Sequence, residues 1–143
     1  MAFNFVAIQA AIKAVITAAG FQYVPVHDWG NFEEGIFPEA LNDKGYAILY
    51  DSMDASEYEQ VNRNMLFARI EFVLETANDL YLATLDDVVA AIGSLSTITA
   101  TSLCNVLDPD GTLQNFNTQY LEKDRGLGKV IVQFPNIRME IQE

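Results

Sequence analysis

The sequence predicts an α+β fold: an antiparallel or mixed β-sheet with two helices packed on one face, plus an extended β-hairpin arm. Three observations point there. Two segments carry apolar residues at helical spacing. Several others alternate apolar and polar residues with a period of two, the mark of half-buried strands. The order is helix, strands, helix, strands, without the regular βαβ rhythm of a parallel sheet. The chain has 143 residues and no repeat, low-complexity tract or obvious linker, so it reads as one domain, 1–143. That length can bury roughly two-thirds of the unfolded surface.

Phe5, Ile8, Ile12, Val15, Ile16 and Ala19 predict an amphipathic helix over about 4–19, with Asn4 as candidate N-cap and Gly20 as the stop. Gln9, Lys13 and Thr17 interrupt the apolar N-terminus every four residues, and no basic region leads it. It reads as a helix face, not a targeting signal. "FQYVPVHDW" (21–29) has strand composition, but Pro25 lacks a backbone donor, so it is an edge strand or an extended segment. Residues 28–45, rich in Gly and acids, read as a loop, and "GYAILYDS" (45–52) as a strand. "MDASEYEQVN" (53–62) is polar and reads as a loop between strands.

"NRNMLFARIEFVLE" (62–75) is the longest strand signal. Asn64, Leu66, Ala68, Ile70, Phe72 and Leu74 form an inward set; Arg63, Met65, Phe67, Arg69, Glu71, Val73 and Glu75 form a mixed outward set. Extended, the segment spans roughly 46 Å at about 3.3 Å per residue. A compact chain of this size is under about 40 Å across. Leu85, Val88, Val89 and Ile92 then mark a second helix over 79–93, with Asn78 or Asp79 as cap and Gly93 as end. Residues 94–115 carry little pattern beyond a turn at "DPDG" (108–111). "NFNTQYLEKDRGLGKVIVQF" reads as two strands around a Gly-rich hairpin turn. In the tail, Val130, Val132 and Phe134 are even while Ile137, Met139 and Ile141 are odd. A β-bulge or break at Pro135–Asn136 keeps both sets on one face.

The net charge is −12, from twenty acids against eight bases. The bases are scattered, so no basic stripe exists to grip nucleic-acid phosphates. No apolar run in the sequence reaches the roughly 18 residues of a membrane span, and no membrane association is expected. The single cysteine, Cys104, excludes an internal disulfide framework and fits a reducing cytoplasm. It has no CxxC partner and reads as a buried apolar thiol. His27 is the only histidine, beside Asp28, and no GxSxG surrounds a serine. "DPDG" fails an EF-hand register, which would put Val106 at the first ligand position and Asn117 at the twelfth. HExxH, GxGxxG and phosphate-loop patterns are absent from the sequence. The acids at Glu33, Glu34, Glu39 and Asp43, and at Asp51, Asp54, Glu57 and Glu59, read as solvated surface. Catalytic residues, cofactor and metal are all expected to be none. The apolar members of the outward set instead suggest a subunit interface at Met65, Phe67, Arg69, Glu71 and Val73, with a covering helix or second sheet layer as the plainer explanation.

The layout resembles the tail terminator, or tail completion, proteins of long-tailed bacteriophages. The likeness covers most of the chain as a pattern: an N-terminal helix closing on Gly20, "FPEALNDKGYAILYDS", an acidic stretch, the long strand 62–75, the helix 79–93 and the closing hairpin. The chain departs from it in a longer segment at 94–115 and an extra run after Pro135. The resemblance implies a structural protein without catalytic residues. Copies would form a ring, generally a hexamer, that caps the last tail-tube ring at the head-proximal end of the virion tail. The ring would stop polymerisation and join the head. Its partners would be itself, the tail-tube protein and a head-side connector or neck protein. DNA would pass through the lumen without specific binding, and assembly would take place in the host cytoplasm. The overlong strand would serve as an arm that pairs with the next subunit. Another neck or tail-tube component shares much of this layout. A reading from a different class is a small acidic enzyme or ligand-binding module centred on His27, Asp28 and Trp29.

Overall fold

The computed structural model describes residues 4–33, 44–58, 61–76, 80–100, 103–120 and 129–141. Helix α1 (Phe5–Ala18) leads into β1 (Gln22–Tyr23), α2 (Val26–Glu33), β2 (Gly45–Tyr58) and β3 (Val61–Glu75). Helix α3 (Tyr81–Gly93) runs into a 3₁₀ stretch (Ser94–Ala100), then β4 (Cys104–Leu107), β5 (Asn117–Tyr120) and β6 (Lys129–Ile141). The strands form one open mixed sheet in the order β1-β2-β3-β6-β4, with β5 also on β6. β1 is parallel to β2 and every other pair is antiparallel. β4 and β5 share one edge of β6 at its two ends. This is the expected α+β architecture.

α1 starts and stops where its sequence directs. The Asn4 side chain accepts a hydrogen bond from the Ala7 N–H at 3.1 Å. Gly20 takes φ +99°, a left-handed conformation that ends the helix at little cost only for glycine. Ile8, Ile12 and Ile16 are buried on one face. They meet Val88, Ala91 and Ile92 of α3, Leu95 and Ile98 of the 3₁₀ stretch, and the inward side chains of the sheet in one core. Both expected helices therefore pack on the same face.

The inward set of the long strand is buried throughout: Asn64, Leu66, Ala68, Ile70, Phe72 and Leu74. β3 is central, paired with β2 on one side and, from Asn64 to Glu75, with β6 on the other. Its length is thus used mostly inside the sheet. Only 61–63 run past the last β6 pair, Asn64–Ile141, and together with 56–58 they extend the hairpin beyond the sheet.

Two bulges flank Arg69. Ala68 pairs with Ile137 and Ile70 with Phe134, so Pro135 and Asn136 together face Arg69. That is the parity slip read from the tail, and Val130, Val132, Phe134, Ile137, Met139 and Ile141 all enter one core. On the other side Tyr50 pairs with Ala68 and Ser52 with Phe67, leaving Asp51 as an extra residue in β2. Across β6 from the bulge, Asn136 Nδ2 donates to the Thr112 carbonyl at 3.4 Å. Residues 108–113 make the expected turn: the Leu113 N–H donates to Asp108 Oδ1 at 2.9 Å, and Gly111 takes φ +68°.

Several expectations are corrected. Residues 53–58 are strand, not loop, because pairing with β3 continues to Tyr58–Val61. Residues 26–33 are helix, although Val, His, Asp, Gly and Asn are poor helix formers. Tertiary packing decides here: Trp29 is 1% exposed, and burying so large a ring outweighs weak propensity. α3 has Leu80 at its N-cap without a side-chain cap bond; Asn78 and Asp79 lie outside the described residues. α3 does end at Gly93, as expected, and the chain passes directly into the 3₁₀ stretch. The combined run Tyr81–Ile98 is long and apolar enough to cross a membrane by length and composition. Val88, Ala91, Ile92, Leu95 and Ile98 are nevertheless core residues, which explains that composition without a bilayer.

Candidate functional site

The five residues proposed as an interface lie on the face of β3 opposite α1 and α3, and the structure divides them. Val73 is buried in a second, smaller core with Val24, Trp29, Ala47 and Ile131. The lid of this core is α2, carried onto the outer face by the turn after β1. Beneath it Glu71 is 1% exposed. Trp29 Nε1 donates to Glu71 Oε1 at 2.9 Å, and Gln133 Nε2 donates to Oε2 at 2.9 Å. Arg69 Nε lies 3.4 Å from the same Oε2 and 3.8 Å from Asp51 Oδ1. The carboxylate is thus held by two donors and a guanidinium, which offsets the cost of burying it. Glu71 and Val73 are covered by their own chain. They are corrected from surface to internal residues.

Met65, Phe67 and Arg69 remain half-exposed. Met65 lies between Asp54 and Glu140, and Phe67 between Ser52 and Arg138. Leu107 of β4 follows Arg138 in the same row. Among the described residues no helix covers these rows. The outer face is therefore a closed core at one end and an apolar surface rimmed by charge at the other, with Arg69 between them.

The His27 centre does not assemble. His27 and Asp28 are exposed on the first turn of α2, while Trp29 is buried beneath it. Among the described residues no cluster of three His, Cys, Asp or Glu side chains forms. Cys104 is buried, and burial pushes its thiol up and away from reactivity.

A depression lies elsewhere, against α1. It is a groove of about 310 Å³ lined by Phe5, Val6, Gln9, Ala10, Lys13 and Tyr50. No protein-family model matches the chain, and no curated protein matches it.

The groove exists because of how α1 is fixed to the sheet. The stripe Gln9, Lys13, Thr17 falls on three tyrosines. Tyr50 donates to Gln9 Oε1 at 3.0 Å, and Gln9 Nε2 donates to the Tyr23 hydroxyl at 3.2 Å. Lys13 Nζ stands 4.0 Å above the Tyr23 ring. Thr17 and Tyr46 share a hydrogen bond of 3.0 Å. Burial pushes the Tyr50 phenol up to about 12, with Tyr23 and then Cys104 adding to the shift. The four-residue period of the polar stripe was legible in the sequence. Its tyrosine partners were not, because they lie on other strands. The groove's outer wall is apolar: Val6 is 83% exposed.

Proposed function

We propose that this chain is a structural subunit of a phage or phage-derived tail, a tail-terminator-like protein. Copies close head to tail into a ring, generally a hexamer, on the last ring of the tail tube. The ring ends polymerisation and offers the surface that joins the head. The chain carries out no catalysis in this reading and needs no cofactor.

The observation that carries it is the divided outer face. A sheet face closed over Glu71 and Val73 but left open over Met65 and Phe67 gives one molecule a core and a contact surface on the same strands. A heterologous contact of that kind closes into a ring when the rotation permits. The charge of −12 also supports it, since an acidic lumen lets DNA slide past without gripping it. Imaging of assembled tails tests the reading. The chain should appear as a closed ring at the head-proximal end of the tube; isolated copies in such particles overturn it.

A further inference from the structure

We propose that the open edge of β2, with the groove beside it, receives strand β5 of a neighbouring copy. The inference rests on the assembly reading and adds to the outer-face contact at Met65 and Phe67 a separate edge contact with a polarity and a register.

β1 covers β2 only at Gly45 and Tyr46. The last bond runs from the Val24 N–H to the Tyr46 carbonyl at 2.8 Å, and the chain then turns into α2. Among the described residues no strand pairs with that edge from Ala47 onward. Such a row of backbone donors and acceptors is a template for another strand. The groove lies on the helix side of this edge, and Tyr50 is its only sheet residue. An added strand would gain backbone bonds from β2 and a place beside Val6 and Ala10 for its inward side chains.

One strand of the chain fits. β5 sits at the far margin of the sheet, every residue exposed, and among the described residues it pairs only with β6. Direction alternates from β2 through β3 and β6 to β5. A neighbour in the same orientation therefore brings β5 to β2 as an antiparallel strand. Thr118 and Tyr120 oppose the core residues Val132 and Val130, so they point to the helix-bearing face, where the groove is. Charge also matches. "TLQNFNTQY" (112–120) carries none of the twenty acids, whereas Asp51 and Asp54 flank the receiving edge. Carboxylates brought opposite them would repel. The ring of Tyr120 would approach Lys13, which already sits over one tyrosine.

The fit also sets an offset. Within one chain Thr118, Val132, Phe72 and Tyr46 share a level. In the neighbour β1 occupies that level, so β5 must slide toward the hairpin tip. Thr118 opposite Tyr50 is a shift of about four residues, roughly 13 Å. A register offset is what closing a sheet around an axis requires. Pairing β2 with β2 about a twofold axis would instead stop at a dimer.

Cross-linking tests this. In a Cys104→Ala background, Asp51→Cys and Asn117→Cys place thiols on two exposed positions that the register brings together. A short bismaleimide should give a ladder of covalent multimers from the double variant and none from either single variant. The trial is run at high protein concentration and again on assembled tails. Adding Val6→Glu should abolish the ladder with an unchanged melting temperature. Dimers from Asp51→Cys alone overturn the proposal. A ring seen by light scattering or imaging without the ladder overturns it and leaves the assembly reading standing. A ladder that grows without closing supports the strand contact and overturns the ring, and the absence of both ladder and ring removes both.

Discussion

At the scale of single residues, Glu71 holds the outer layer in place. Removing its carboxylate takes the acceptor from the buried Trp29 Nε1 and from the part-buried Gln133 Nε2. Glu71→Ala is expected to cost on the order of 3 kcal/mol, a large part of a total stability of about 5 to 15 kcal/mol. Trp29 is the only tryptophan, so its emission should move to longer wavelength as α2 loosens. Glu71→Gln keeps an acceptor for the indole and should cost only about 1 kcal/mol. Unchanged melting and emission in the alanine variant would show that α2 is held by other contacts. Tyr50 sets a limit at high pH. The ordinary tyrosine value is 10.0, and burial pushes Tyr50 in the fold up to about 12. Between those values the unfolded chain gives up a proton that the folded chain keeps. This part of the stability is complete below 10 and falls as pH rises toward 12. Melts across that window should show the fall, and Tyr50→Phe should reduce it.

At the scale of elements, the bulge at Pro135–Asn136 keeps β6 in the core on both sides of Arg69. Deleting Asn136 shifts parity by one, turning Ile137, Met139 and Ile141 outward. The deletion is expected to give unfolded or insoluble protein. Asn136→Ala loses only a long bond to Thr112 and should cost about 1 kcal/mol or less by denaturant titration. This bulge was legible because a parity slip is a local signal. α1 was legible for the same reason, through Asn4, Gly20 and the isoleucine stripe. α2 was not, since it forms for the burial of Trp29, whose partner Glu71 is 42 residues away. The strand at 53–58 was hidden by its acids, which pair with β3 from the edge of the sheet. The candidate interface was read as one stripe because parity alone cannot tell which part of a face a distant helix will cover.

At the scale of the whole molecule, folding and assembly should separate by strand parity. Phe72 is 0% exposed in the main core, while Phe67 is half-exposed on the open part of the outer face. Burying a carboxylate without a partner costs several kcal/mol, so Phe72→Asp should leave no folded protein. Phe67→Asp should give a folded monomer with near-normal melting. An interface anchor typically carries about 2 kcal/mol or more, and the loss recurs at every junction of a ring. Circular dichroism melts with light scattering decide the outcome. If both variants unfold alike, Phe67 belongs to the core and the assembly reading loses its main support.

The change along β3 near Arg69, where β6 bulges opposite it and β2 bulges just beyond, between Ala68 and Phe67, has a consequence for how the sequence can drift. From Ile70 to Leu74 β3 is buried on both faces, so replacements there are judged by packing at every position. From Asn64 to Phe67 only alternate positions are buried, and the others answer to whatever lies against the sheet. One strand is thus read under two rules along its length. Among chains sharing this fold, variation in β3 should be uniformly low on one side of Arg69 and alternate with a period of two on the other. Specificity for a new neighbour can then change in that second half without disturbing the fold that carries it.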